Sequence, residues 1–278
     1  MKLTAKKLIL GLMVADPDQA MPVQSIIRAC ALFRITENNV RVTLVRLSAE
    51  GLIESRGRGA YGVGPQARNT AQEVARWHNA EQRLCDWSGA YIAVHTGMMG
   101  RSDRKALNQR ERALDMLGLR ELERGLHIRP DNLSGGVAEV RHRLHDLGVP
   151  DDATVFLASA FEARKDDAIR ALWDGDALNR RYREQTQRLN QWLARHDELE
   201  RDVAARESYL AGAEAIRMLV FDPWLPEPLV DGPARHAFVQ ATEAMDAAGK
   251  AIWQDVLDMA PAHPLTGTAS AFNTPRKR

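Results

Sequence analysis

The chain is poor in the residues that announce chemistry. Its 278 residues include only two cysteines, Cys30 and Cys85, and their spacing matches no zinc or redox motif. A disulfide framework is therefore excluded, and buried, reduced thiols in the cytoplasm are expected. No apolar run approaches the roughly 20 residues that a membrane span requires. The stretch Leu8–Val14 is short and has no small-residue cleavage site behind it, so it is expected as a first core helix rather than a leader. Charge of one sign is also lacking: 38 lysines and arginines face 37 acidic residues, for a net charge of +1, so any nucleic-acid surface must be local. The carboxylates form no catalytic constellation. Gly135-Gly136 lacks the glycine spacing and lysine of a phosphate loop and reads as a turn. No cofactor is implied. Aromatics make up 6% of the chain, and Trp77, Trp87, Trp173, Trp192, Trp224 and Trp253 are expected mainly as core anchors.

What is present is organisation. The length fits two or three domains. Residues 1–66 carry Lys2, Lys6, Lys7, Arg28, Arg34, Arg41, Arg46, Arg56 and Arg58 against Asp16, Asp18, Glu37, Glu50 and Glu54. A short helix over 3–15 stops at Asp16-Pro17-Asp18, and a second runs from Pro22 to Phe33. Thr36 is a good N-cap for a third helix, in which Val40, Leu44 and Leu47 form one buried stripe. Gly51 ends that helix. Leu52-Ile53 begins a strand that reaches the tip Arg56-Gly57-Arg58-Gly59 and returns through Tyr61-Gly62-Val63. This is the pattern of a winged helix-turn-helix, whose third helix enters the major groove of duplex DNA. Asn38, Asn39, Arg41, Val42 and Arg46 are the candidates for base or backbone contact, with Thr36 at the helix start. Ser25 on the preceding helix and Arg56 and Arg58 on the tip are candidates for phosphate or minor-groove contact.

Residues 67–84 read as a linking helix. Residues 85–162 then read as strand (Ala90–His95), helix (Asp103–Leu117), two strands around Glu123-Arg124-Gly125, helix (through Leu147) and strand (Thr154–Ser159). That β-α-β-β-α-β order is the ferredoxin-like pattern. Residues 163–262 read as helical. Tyr182, Leu189, Trp192, Leu193 and Leu199 lie on one long helix, a break falls at 222–228, and a last helix spans about 234–257. Residues 263–278 read as a polar tail. The fold class expected is thus α+β, in three parts. His142 and His145 stand three apart beside Asp146, but Arg141 and Arg143 flank them and no third ligand offers itself, so no metal site is expected.

With these segments laid out, the chain resembles the PaaX-like family of transcriptional repressors, regulators of phenylacetate-degradation operons. The resemblance is carried by residues 31–42 and 46–54 in the reading helix and wing, and by Asp86-Trp87-Ser88-Gly89-Ala90-Tyr91 at the middle domain's start. It continues through Leu126-His127-Ile128-Arg129-Pro130-Asp131 and the break Asp222-Pro223-Trp224-Leu225-Pro226. It implies an N-terminal winged helix, a ferredoxin-like middle domain related to a CRISPR adaptation nuclease, and a helical C-terminal domain. It also implies a homodimeric repressor on an inverted-repeat operator, released by an aryl- or acyl-CoA thioester. Arg124, Arg129, Arg141 and Arg143 are then the candidates for holding the thioester's phosphates. Thr43 and Val45 differ from the family's usual residues, which implies a different operator. The alternative function is a metal-dependent nuclease targeted by the winged helix. The stretch Tyr91–Gly97 carries no carboxylate at the strand end where those relatives bind metal, so an enzyme is not expected.

Overall fold

Three helices and a hairpin build the N-terminal part of the computed structural model, which describes residues 3–100 and 102–258. Helix α1 (Ala5–Ala15) is capped by Thr4, whose hydroxyl accepts from the Lys7 amide at 3.3 Å. A two-residue strand β1 (Met21–Pro22), α2 (Val23–Leu32), α3 (Glu37–Ala49), β2 (Ile53–Ser55) and β3 (Ala60–Val63) follow. The three strands form an antiparallel sheet in the order β1-β3-β2. Leu8, Ile9, Ile26, Cys30, Val40, Leu44, Leu47, Ile53 and Val63 meet in one core. Gly64 is required by packing: a Cβ there would lie 2.4 Å from the Gly51 carbonyl oxygen. Burial pushes the Cys30 thiol up to about 11, whereas Cys85 is exposed, against the expectation of two buried thiols.

Helix α4 (Pro65–Ala75), with proline at its first position, leads through two short 3-10 turns to a second sheet. Its elements are β4 (Tyr91–His95), α5 (Arg104–Met116), β5 (Arg120–Glu123), β6 (Leu126–Pro130), α6 (Gly136–Asp146) and β7 (Thr154–Ala158). The strand order is β5-β6-β4-β7, and every neighbouring pair is antiparallel. Ile92, Val94 and Val155 meet Leu114, Leu117, Val140 and Leu144 on one face. Tyr91 and Ile128 point to the other face and pack on Ile169, Trp173, Leu225 and Val230. The sheet is thus covered on both sides, the second time by the chain's C-terminal part.

That part comprises α7 (Ala163–Arg170), α8 (Gly175–Leu193), α9 (Arg201–Val220) and α10 (Gly232–Asp258). Helix α8 ends before Leu199, which the sequence placed on the same helix; the chain turns at His196–Glu198 instead. The break at 222–228 bolts this part to the sheet. The Asp222 carboxylate is buried and accepts from the Tyr182 hydroxyl at 2.6 Å and the Trp224 amide at 2.7 Å. Asn132 donates to the Trp224 carbonyl at 2.7 Å. Burial raises the Asp222 carboxyl above its usual range, although both donors work against the rise.

The far end of α10 returns to the N-terminal core, which Trp253, Val256 and Ala205 complete. Phe33 meets Tyr209 edge-on at 5.5 Å between ring centres. The described chain is a mixed α+β fold whose first and last segments share a core. Among the described residues no helix is long and apolar enough to cross a membrane. The polar tail expected over 263–278 lies outside the described residues.

Candidate nucleic-acid interface

Helix α2 ends at Leu32, and Arg34 takes a left-handed conformation (φ 59°) in the turn to α3. Thr36 then caps α3, its hydroxyl oxygen accepting from the Asn39 amide at 3.4 Å. Val40, Leu44 and Leu47 are buried, so the remaining faces of the helix are fixed. Asn38, Arg41, Val42, Val45 and Arg46 are exposed, with Val45 67% accessible. Exposed valines cost hydration without return in a free helix, and methyl groups are what thymine methyls meet in a major groove. Arg41 pairs with Glu37 at 2.7 Å, and the Thr43 hydroxyl donates to the Asn39 side-chain oxygen at 3.3 Å. For Arg46 no acidic partner occurs among the described residues. Arg34 was counted only as charge in the sequence; its exposure beside the cap depends on a positive φ that no residue pattern announces.

The β2–β3 hairpin turns through Gly57 (φ 91°) and Gly59 (φ 75°), leaving Arg58 exposed at the tip. Arg56 departs from expectation. Its guanidinium folds back to Glu54 (3.3 Å) and the Asp18 carbonyl (3.2 Å), and it lies over Gly62, so it staples the hairpin. Ser25 departs further. It is 6% exposed, its hydroxyl donates to the Leu257 carbonyl at 3.3 Å, and Arg28 donates to both groups. The C-terminal end of α10 covers it, so it does not face the surface that α3 presents.

The four arginines proposed for an effector do not converge. Arg124 is exposed on the β5–β6 turn, and Arg141 lies on the outer face of α6, donating to the Val155 carbonyl at 3.0 Å. Arg129 is 1% exposed and donates to the carbonyls of Leu117 (2.5 Å), Pro130 (3.1 Å) and Pro223 (3.4 Å) and to the Asn132 side chain (3.2 Å). Burial, then the neighbouring charge of Arg143, pulls its guanidinium down to about 9, still charged at neutral pH. It is a structural tie within the protein. Arg143 is buried against the Glu73 carboxylate, its Nε 3.1 Å from Oε1.

Around that pair the fold gathers a cluster that the sequence did not disclose. Arg76 reaches Glu73 (3.1 Å) and Glu139 (2.8 Å), and Arg83 reaches Glu139 (2.6 Å), beside Trp77 and Trp224. Burial alone would raise the Glu139 carboxyl, but Arg83 and Arg76 hold it below the usual range. Its ion pairs therefore stabilise the fold above the ordinary carboxylate value near 4.5 and are lost as pH falls through the lower folded value. Glu139→Gln is expected to flatten the fall of melting temperature on acidification below about pH 4.5. Superimposable pH profiles for the two proteins would refute this.

His142 turns to Asp146 (3.3 Å) and His145 to Asp151 (3.1 Å), so the two histidines take different carboxylates. Among the described residues no three potential metal ligands come together.

Residues 173–255 match the PaaX-like protein C-terminal domain family. No curated protein sequence matches the chain. Among solved structures, the uncharacterized protein Rv0674 from Mycobacterium tuberculosis is similar in fold, with a TM-score of 0.55 and 21% identity. The alignment covers 90% of this chain and 99% of that one. Residues 173–255 are thus similar to the C-terminal domain of PaaX-like proteins.

Proposed function

We propose that the chain is a DNA-binding transcriptional regulator, a homodimeric repressor of a catabolic operon that an aryl- or acyl-CoA thioester releases. The observation that carries the reading is the outward face of α3, where Asn38, Val42, Val45 and Arg46 lie together in the open, with Arg58 exposed at the hairpin tip. On this reading the segment from α1 to β3 is a winged helix-turn-helix, and the sheet ordered β5-β6-β4-β7 belongs to a ferredoxin-like middle domain. A dimer would set two α3 helices about 34–36 Å apart on an inverted repeat. The reading gives the chain binding and no catalytic step.

Release would act at the Arg76–Arg83–Arg143 cluster, because α4 runs from the end of the hairpin straight into it. The cleft there measures about 30 Å³, room for a water rather than a thioester. An effector's phosphates would therefore enter by parting α4 from α6, and that motion would re-aim α3. The ligand would favour a dimer that no longer spans two half-sites.

The test is Arg46→Ala against duplexes selected from a random pool by the parent protein. Affinity for the selected site is expected to fall by about 1–3 kcal/mol, while affinity for random duplex changes little. Parent binding is expected to weaken steeply with salt. An unchanged Kd for the selected site would remove α3 from the interface.

A further inference from the structure

Helix α3 is apolar at two opposite poles. Val40, Leu44 and Leu47 fill the inward one. At about 3.6 residues per turn, Asn38, Val42, Val45 and Ala49 fall on the outward one, and all four are exposed. A helix that borders a single core carries polar residues on its opposite face. Here only Asn38 is polar. Val42 is 43% exposed and Val45 67%, one turn apart on the same stripe. On the flanks Arg41 is drawn to Glu37 at 2.7 Å and Thr43 to Asn39 at 3.3 Å.

The charge beside the stripe indicates what covers it. Glu50 is paired with Lys6 and Glu54 with Arg56, and among the described residues no carboxylate meets Arg46. An apolar protein surface laid over the valines would take water from that arginine and return no counter-charge. The floor of a major groove answers both features, because thymine presents a methyl group there and guanine two acceptors, N7 and O6. The spacing also fits. Val42 and Val45 are about 4.5 Å apart along the helix axis, close to the ~3.4 Å of one base step.

We propose that Val45 is a specificity-determining residue, which with Val42 reads thymine methyl groups next to the base that Arg46 contacts. The inference rests on the DNA reading and adds to it the base that the outward pole selects.

The experiment uses the full chain and a duplex selected from a random pool by the parent protein. Each thymine of one half-site is replaced singly by deoxyuracil, which keeps the hydrogen-bonding groups and loses only the methyl. At one or two positions the parent is expected to bind about fourfold more weakly, the worth of one buried methyl group. Val45→Ala is expected to keep the parent's melting temperature, since the side chain is exposed and alanine favours helix. It should bind the thymine duplex about fourfold more weakly and lose nothing further at one of the sensitive positions. Uracil without effect at every position, or the parent's full uracil sensitivity in Val45→Ala, would overturn this inference and leave the DNA reading standing. A pool that yields no preferred sequence would overturn both. A changed oligomeric mass of the DNA-free Val45→Ala chain would assign the stripe to a protein partner and also overturn the proposal.

Discussion

Glu73→Ala is expected to cost the folded chain about 3–5 kcal/mol, the range for removing one partner of a buried ion pair. Both Glu73 and Arg143 are buried, and Glu73 also receives the Arg76 guanidinium at 3.1 Å. Deleting the carboxylate leaves Arg143 out of water beside two other guanidiniums, with Glu139 as their remaining common counter-ion. The loss is thus larger than the worth of the pair itself. Replacing both partners, Glu73→Leu with Arg143→Met, is expected to restore most of the stability, because no charge then stays buried. Urea unfolding measures both variants. A single-variant loss below about 1 kcal/mol would show that solvent reaches the pair and that the cluster is a surface network.

Trp253→Ala is expected to destabilise by about 3–5 kcal/mol, as truncating a buried tryptophan does elsewhere. Its indole nitrogen donates to the Ala205 carbonyl at 3.1 Å, and its ring meets Tyr209 edge-on at 6.1 Å. The location of the effect matters more than its size. Trp253 lies in the same core as Leu8, Ile26 and Leu44, so amide exchange should accelerate through α1, α2 and α3, more than 200 residues away in sequence. Exchange that accelerates in α10 alone would show that the N-terminal core closes without it.

The residues explain which parts of this were legible. The stripe Val40, Leu44, Leu47 could be read because helical periodicity is local, and the structure buries all three. The same holds for the cap at Thr36 and the glycine turns at Gly57 and Gly59, where one or two neighbours decide the conformation. Ser25, Arg56 and Arg129 read as surface chemistry because they are polar. Each has a partner far off in the sequence, Leu257, Asp18 and Pro223 respectively, and no spacing rule connects residues so far apart. The Glu73–Arg143 cluster was missed for a related reason. Carboxylates and arginines are plentiful here, and only the packing of α4 on α6 selects which of them meet. Of the four arginines offered for an effector, Arg143 alone reached that cluster.

The shared core of α2 and α10 also sets an order of events during synthesis. The segment that ends at Val63 leaves the ribosome about 190 residues before Trp253 does, roughly 10–40 s at usual elongation rates. Through that interval the core that holds Ile26 and Cys30 lacks the indole that later joins it. The nascent chain must wait with an unfinished apolar surface until α10 arrives, and the part expected to read DNA matures only after that helix has been made.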